Sequence, residues 1–350
     1  MVKQLNDLQT VNAKDRPFTM RLSCRRLLTT TVAIAFTLSG LVSSRVNAQE
    51  PSTQPLRIIV GYAPGGAADN VARSYAEQLR LDGNGAVIVE NKPGASARIA
   101  LDYVKQSKPD GRTLFLGPSP LFTVFPLTYK QLSYDADRDL VAVSVMTDIP
   151  TAVAAGVNQP YKTMKEYVQW IKQNPTQANI GLATVGNTLQ LGTFAVGKAV
   201  GVDIPPVAYK GASPMLIDVA SGQVSIGADA LASHMALYKA QKINILGVSG
   251  PARALAAPEI PTMLEQGFEQ YLYATSWYGA FVPAATPADV RDKLETILTK
   301  ASKSTELIKT LAAGGLEVVG GSAAMALQRI KDERAYWAPI VKESGISLND

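Results

Sequence analysis

The sequence predicts an α/β protein with mostly parallel sheets, split into two domains. Short runs rich in Val and Ile alternate with amphipathic helical patterns along most of the 350 residues, and continuous apolar strands of that kind belong in sheets covered on both faces. The length suits two domains of ordinary size. Polarity offers no third alternative, because 47% apolar and 18% charged residues are usual for a globular chain.

The expected strands are 57–62, 86–90, 113–117, 141–146, 151–155, 179–183, 206–209, 224–228, 243–248, 279–283 and 316–319. Helix boundaries carry their own signals. Thr163-Met164-Lys165-Glu166 is a capping box whose helix should run to the Asn174-Pro175 stop. Ser213-Pro214 and Thr286-Pro287 place a hydroxyl before a proline suited to a first helical turn. Gly201 and Gly222 follow helical stretches, where a left-handed residue ends a helix. The sequence has no internal repeat and no low-complexity linker, so a chain with two lobes must cross between them inside ordinary connections, near 148–152 and 272–278.

Residues 1–48 read as an export signal, with Arg21, Arg25 and Arg26 ahead of an apolar stretch from Leu27 to Val42 and small residues at Val46-Asn47-Ala48. Localisation outside the cytoplasmic membrane, in the periplasm after cleavage, is the expectation. The same segment holds seven of the 34 bases and two of the 29 acids, so the body beyond it carries 27 of each. A neutral body has no electrostatic hold on a polyanion, and nucleic acid is not an expected partner. Cys24 lies before the apolar run, so the body has no thiol, and His234 is the single histidine. With no G-x-S-x-G elbow and no cluster of His, Cys or carboxylates, neither enzyme chemistry, nor a metal, nor a cofactor is expected. His234 falls in a helical stretch, 231–242, where a surface position is the default.

Three segments carry functional potential. Tyr62, Ala63, Pro64, Gly65, Gly66, Ala67, Ala68 and Asp69 join the first strand to a helix starting near Ala67. A strand, a glycine turn and a helix N-terminus form an anion cradle from backbone N–H groups and the positive end of the helix dipole. No Lys-Ser/Thr follows the glycines and they are adjacent rather than spaced, so this is not a nucleotide loop; the plainer alternative is a tight turn with Asp69 as a first-turn acid. Thr184, Val185, Gly186, Asn187, Thr188, Leu189 and Gln190 repeat the strand–turn–helix arrangement, with capping by Asn187 and Thr188 as the plainer alternative. Ligands of open α/β sheets sit at the carboxyl ends of strands, where both turns lie. The third segment is Tyr209-Lys210-Gly211-Ala212-Ser213-Pro214, with Asp229 at the end of the following strand, either a ligand acceptor or a helix cap.

At these segments the chain resembles the Bug receptors, the extracytoplasmic tricarboxylate-binding family of tripartite tricarboxylate transporters. The matching blocks are Arg57-Ile58-Ile59-Val60, Pro64-Gly65-Gly66-x-x-Asp69, Val71-Ala72-Arg73, Val89-Glu90-Asn91-Lys92-Pro93-Gly94-Ala95, Pro109-Asp110-Gly111 with Thr113-Leu114, Tyr209-Lys210-Gly211, Gly222-Gln223-Val224, Pro258-x-Ile260-Pro261-Thr262, and Thr275-Ser276-Trp277-Tyr278-Gly279 leading to Pro283-Ala284-x-Thr286-Pro287. They run collinearly from 54 to 349. The resemblance implies a two-lobed periplasmic-binding-protein fold of type II with a ligand cleft between lobes, the first lobe taking 54–150 and 276–350 and the second 151–275. It further implies a monomeric receptor that closes on a small organic carboxylate and delivers it to membrane transporter subunits. The implied ligand set is Tyr62 and Pro64 to Asp69 from one turn, Thr184, Gly186, Asn187, Thr188 and Gln190 from the other, together with Ser119, Tyr209 and Asp229. Gln190, Leu182 and Phe125 stand where the family often has His, a small or hydroxylated residue, and Asn. Those departures favour a ligand less polar than citrate, such as an aromatic or monocarboxylic acid. Two alternatives stay open: a receptor coupled to a sensor kinase rather than uptake, and a periplasmic hydrolase on a related two-lobed fold.

Overall fold

The structure is a computed structural model that describes residues 54–184 and 186–348. The export signal expected at 1–48 lies outside the described residues.

In chain order the first half comprises β1 (Leu56–Val60), α1 (Ala67–Leu81), β2 (Val87–Asn91), α2 (Arg98–Lys105), β3 (Thr113–Pro118), the short α3 (Pro120–Thr123) and α4 (Phe125–Thr128), and β4 (Leu140–Ile149). After Pro150 come β5 (Thr151–Gly156), α5 (Met164–Gln173), β6 (Ile180–Leu182), α6 (Thr188–Val200), β7 (Pro206–Ala208), α7 (Ala212–Ser221), β8 (Ile226–Ala230), α8 (Leu231–Lys239) and β9 (Ile243–Val248). The chain then returns through β10 (Ser276–Pro283), α9 (Ala288–Ala301), α10 (Thr305–Ala313), β11 (Glu317–Ser322) and α11 (Ala323–Ser344).

These strands form two sheets. One has the order β11-β4-β10-β3-β1-β2 and the other β7-β6-β8-β5-β9. The sheets are mixed. The pairs built from strand–helix–strand units run parallel, β1 with β2 and β3, and β6 with β7 and β8. The pairs made by β4, β5 and β10 run antiparallel. The reason lies in the crossings: β4 enters β5 with only Pro150 between them, and β10 comes back from the second sheet into the first. A strand that leaves at the carboxyl edge of one sheet must re-enter it pointing the other way.

Local chemistry explains why the elements stand where they do. Helix α1 buries Ala68, Asp69, Val71, Ala72, Tyr75, Ala76 and Leu79, a single stripe at helical spacing, against the core of the first sheet. Helix α5 carries the full capping box, with Thr163 accepting from the Glu166 N–H and Glu166 returning to the Thr163 N–H; such a cap contributes about 1 kcal/mol. Gly201 and Gly222 end α6 and α7 in the left-handed region, at φ 72° and 83°. Two expected caps are corrected. Ser213 sits inside the first turn of α7, which starts at Ala212 on Gly211. Thr286 precedes the N-cap of α9, Pro287, and its buried hydroxyl has no partner.

Helix α11 reaches both halves. Ala326 and Ile330 join the core around Phe115 and Phe281, whereas Trp337 and Val341 join the core around Tyr161, Ile180 and Tyr271. Its Tyr336 hydroxyl donates to the Glu269 carbonyl at 2.9 Å and Glu343 pairs with Lys198 on α6. No helix among the described residues is long and apolar enough to cross a membrane.

Candidate functional site

Each sheet has a strand–turn–helix unit on the strand next to its parallel edge, β1 into α1 in the first and β6 into α6 in the second, and the two units are alike in their hydrogen-bond accounts. In the first, Gly66 is the N-cap of α1 and contributes no side chain, so the N–H groups of Ala67 and Ala68 have no acceptor among the described residues. The turn itself, Ala63 to Ala67, is exposed. Asp69 is buried, at 2% exposure, and it holds the turn from beneath. One carboxylate oxygen accepts the Gly65 N–H at 2.9 Å and Arg73 Nε at 2.8 Å, and the other accepts Asn91 Nδ2 at 2.9 Å. Burial pushes this carboxyl up, but Arg73, the Gly65 N–H and Asn91 together outweigh it and hold the pKa at about 2. Asn91 Nδ2 also donates to the Tyr62 carbonyl at 3.0 Å, so the turn is fixed at both ends.

In the second unit Asn187 caps α6 by accepting the Gln190 N–H at 2.9 Å, and Gln190 Oε1 reaches back to the Gly186 N–H at 2.6 Å. The reciprocal pair leaves the Thr188 and Leu189 N–H groups without an acceptor among the described residues. Two neutral amides at the positive end of a helix are therefore available in each turn, a donor set suited to a carboxylate and needing no Arg or Lys.

One segment of chain brings the two units together. The Thr188 hydroxyl of the second donates to the Thr275 carbonyl at 3.4 Å. At the next residue, Ser276 Oγ lies 3.4 Å from the hydroxyl of Ser119, at the end of β3, and the Ser119 N–H donates to the Trp277 carbonyl at 2.8 Å. Tyr62 packs against the core patch that contains Tyr278; burial pushes the Tyr62 hydroxyl up to about 12, so it stays protonated and can donate. The second turn and the end of β3 thus both bond to the segment from Thr275 to Trp277.

Not every residue singled out in the sequence bonds to this segment. Tyr209 stays on its own lobe: its hydroxyl donates to Asp218 at 2.8 Å, and burial with that carboxylate pushes it up to about 12. Asp229, half-buried at the end of β8 opposite Ala152, makes no side-chain hydrogen bond with any described residue and does not cap α8. Leu182 is 0% exposed in the core of the second sheet, which corrects its assignment to the cleft wall, whereas Phe125 is partly buried and rings with Tyr129 at 4.8 Å. His234 is corrected as well. It is 0% exposed rather than at the surface, with Nδ1 3.0 Å from the Ala230 carbonyl and Nε2 unpartnered, and burial lowers its pKa. Ser276 and Tyr278 entered the sequence reading only as part of a family block, ahead of the strand expected at 279–283; β10 starts at Ser276, and the alternation of Ser276, Tyr278 and Ala280 on one strand face is a signal that could have marked them out. No group of three or more His, Cys, Asp or Glu among the described residues is placed to hold a metal ion.

Two sheets joined by crossing strands, each with a strand–turn–helix unit whose first amides are unpaired, are the architecture of a two-lobed solute-binding protein of the periplasmic class. The chain belongs to the tripartite tricarboxylate transporter receptor family, whose description, "Tripartite tricarboxylate transporter family receptor", matches residues 71–346. It is 31% identical over 306 residues, 87% of this chain and 94% of the other, to a UPF0065 protein of Bordetella pertussis. Among solved structures it is similar to the periplasmic binding protein BugD, at 28% identity and TM-score 0.67, covering 85% of this chain and 99% of that one. It is equally similar to a chain from R. palustris solved with adipate, at 28% identity and TM-score 0.71 with the same coverage. The family is one of extracytoplasmic solute-binding receptors.

Proposed function

We propose that this protein is a periplasmic receptor, without catalytic activity, that closes its two lobes on a small organic carboxylate and hands it to a membrane transporter. The observation that carries this reading is the pair of free first-turn amides, Ala67 and Ala68 on one lobe and Thr188 and Leu189 on the other, with Thr188 bonded to Thr275 ahead of β10 and Tyr62 packed against the core patch that contains Tyr278. We take lobe boundaries at 150/151 and 275/276, where the chain passes between sheets. A carboxylate bridging both turns favours the closed arrangement by its higher affinity for it. A micromolar dissociation constant corresponds to roughly −8 kcal/mol, within reach of several charge-assisted hydrogen bonds together with burial of the ligand. The adipate bound to the related R. palustris chain makes a flexible aliphatic acid the first ligand to test.

Calorimetry of the protein against adipate, citrate, benzoate and a short monocarboxylate tests the proposal. At least one acid should bind, and Gly66→Phe should abolish that binding. Gly66 has extended backbone geometry, at φ −82° and ψ 175°, and an added Cβ would come no nearer than 3.7 Å to the Ala63 carbonyl, so the variant blocks the cradle without straining the fold. Binding that survives both Gly66→Phe and Thr188→Phe would place the ligand elsewhere.

A further inference from the structure

The strand orders put both strand–turn–helix units on one side of the lobe crossings. In the first sheet, β11-β4-β10-β3-β1-β2, the turn after β1 lies on one side of the crossing strands β4 and β10, and β11 lies on the other. In the second, β7-β6-β8-β5-β9, the turn after β6 lies on one side of the crossing strand β5, and β9 lies on the other. Neighbouring strands stand about 4.8 Å apart, which puts β1 about 19 Å from β11 and β6 about 14 Å from β9.

On the β11 and β9 side the lobes touch again. Glu317, the first residue of β11, accepts the Leu255 N–H at 2.7 Å through Oε1, and Leu255 comes from the chain that follows β9. Two residues before Glu317, Gly315 lies at φ +71° against α8, where a Cβ on it would stand 2.6 Å from the Ala232 Cβ. This contact is not part of a continuous core. A cavity of about 270 Å³ lies between the lobes beside it, walled by Asp148, Trp277, Glu317 and Glu333 from one and by Ser249 with the loop that follows it from the other. Leu255 itself is 75% exposed. The lobes can therefore part on this side without opening a packed interior.

Contacts on opposite sides of a hinge oppose one another. A rotation about the crossings that draws the two turns together widens the far side, where Leu255 meets Glu317 and Gly315 meets Ala232. We infer that Glu317 and Leu255 form a counter-latch, which holds the lobes apart at the turns and is released as they close on a carboxylate. It rests on the carboxylate reading of the turns and describes how that site is regulated. A contact that favours the open form lowers the fraction competent to close, and weakens apparent affinity by the same factor. Its removal should tighten binding from outside the site.

Pulsed electron spin resonance reads the latch without any ligand. Nitroxide labels on Ile88→Cys in β2 and Val207→Cys in β7, both exposed on the turn side of their sheets, report the lobe separation there in a Cys24→Ser background. Glu317→Ala should raise the ratio of short to long distances about threefold to tenfold, the share of one hydrogen bond. Ala232→Trp, at an exposed position, should shift it in the same direction by wedging the far side, and decides the question alone if Glu317→Ala fails to fold. Calorimetry should show any acid that binds wild type binding both variants more tightly, by a similar factor. Distances unchanged or lengthened in both variants overturn the counter-latch, as does a bound acid whose affinity stays the same or falls. Shortened distances in a protein that binds none of the acids support the latch and overturn the carboxylate reading instead.

Discussion

Asp69 accepts the Gly65 N–H at 2.9 Å from inside the first turn of α1, so a buried carboxylate shapes a glycine turn it does not belong to. The same carboxylate holds Arg73 and Asn91, and Asn91 fixes the Tyr62 carbonyl. Of the residues in the first turn, Asp69 therefore acts through the others: it sets where the Ala67 and Ala68 amides stand.

This predicts a pH signature. The folded carboxyl titrates at about 2, below the unfolded value near 3.9. A lowered folded pKa stabilises the protein at every pH above the unfolded value, and that contribution is lost as pH falls from about 4 through 2. The shift corresponds to about 2.5 kcal/mol. Asp69→Asn should cost about that much in denaturant unfolding at pH 7 and little at pH 2.5, while weakening carboxylate binding. A cost independent of pH would mean the carboxylate charge is not what holds the turn.

Asn187 offers the matching test on the second lobe. Asn187→Ala removes the cap on α6 and should cost about 1 kcal/mol in thermal or denaturant unfolding. It also frees the Gln190 N–H to compete with Thr188 and Leu189 for a bound carboxylate, so affinity measured by calorimetry should change by more than stability alone accounts for. Unchanged affinity would separate the cap from the site.

Much of this architecture was legible because it follows from local chemistry. All eleven strands and the capping box at Thr163 come from apolar runs and punctuation that act over a few residues. What escaped depends on residues far apart in sequence. Asp69 reads as a first-turn acid until Asn91 and Arg73 are seen on it. His234 sits in a helix of weak amphipathic pattern, and nothing local says that the face it occupies is covered. The cavity gathers positions 148, 249, 277, 317 and 333, which no window spans. One signal was there: Ala326, Ile330, Glu333, Trp337 and Val341 are the buried residues of α11, spaced four, three, four and four apart, and a glutamate within such an apolar stripe is out of keeping with its neighbours.

The C-terminal segment is tied to the second turn by Leu348. Its N–H donates to the Thr128 carbonyl at 2.8 Å and its carbonyl accepts the Lys130 N–H at 3.2 Å, and its side chain occupies the space that a Cβ on Gly186 would enter, at 2.9 Å. Gly186 also lies at φ +76°, which costs a non-glycine residue roughly 1–2 kcal/mol by itself. Gly186→Ala should therefore be destabilising for two reasons, and Leu348→Ala should relieve one of them. In a double-mutant cycle the pair should couple by about 1 kcal/mol, the double variant being less damaged than the sum of the singles. Strict additivity would show that the tail does not bear on the turn.

Glu333 supplies the prediction with the opposite pH sense. Burial pushes its carboxyl up to about 7, against the lowering influence of Trp277 Nε1, Thr123 and Arg329, with Asp148 raising it further. The unfolded carboxyl titrates near 4.3. Between those values the folded protein keeps a proton that the unfolded chain gives up, so this group makes stability fall as pH rises from about 4.5 to 7, by up to about 3.5 kcal/mol. Glutamine keeps an oxygen for Trp277 and has no charge to bury. Glu333→Gln should therefore gain on wild type in denaturant unfolding as pH increases, with most of the gain in place by pH 8. A difference between the two proteins that stays constant from pH 4.5 to 8 would mean that Glu333 is ionised throughout, its charge already balanced within the cavity.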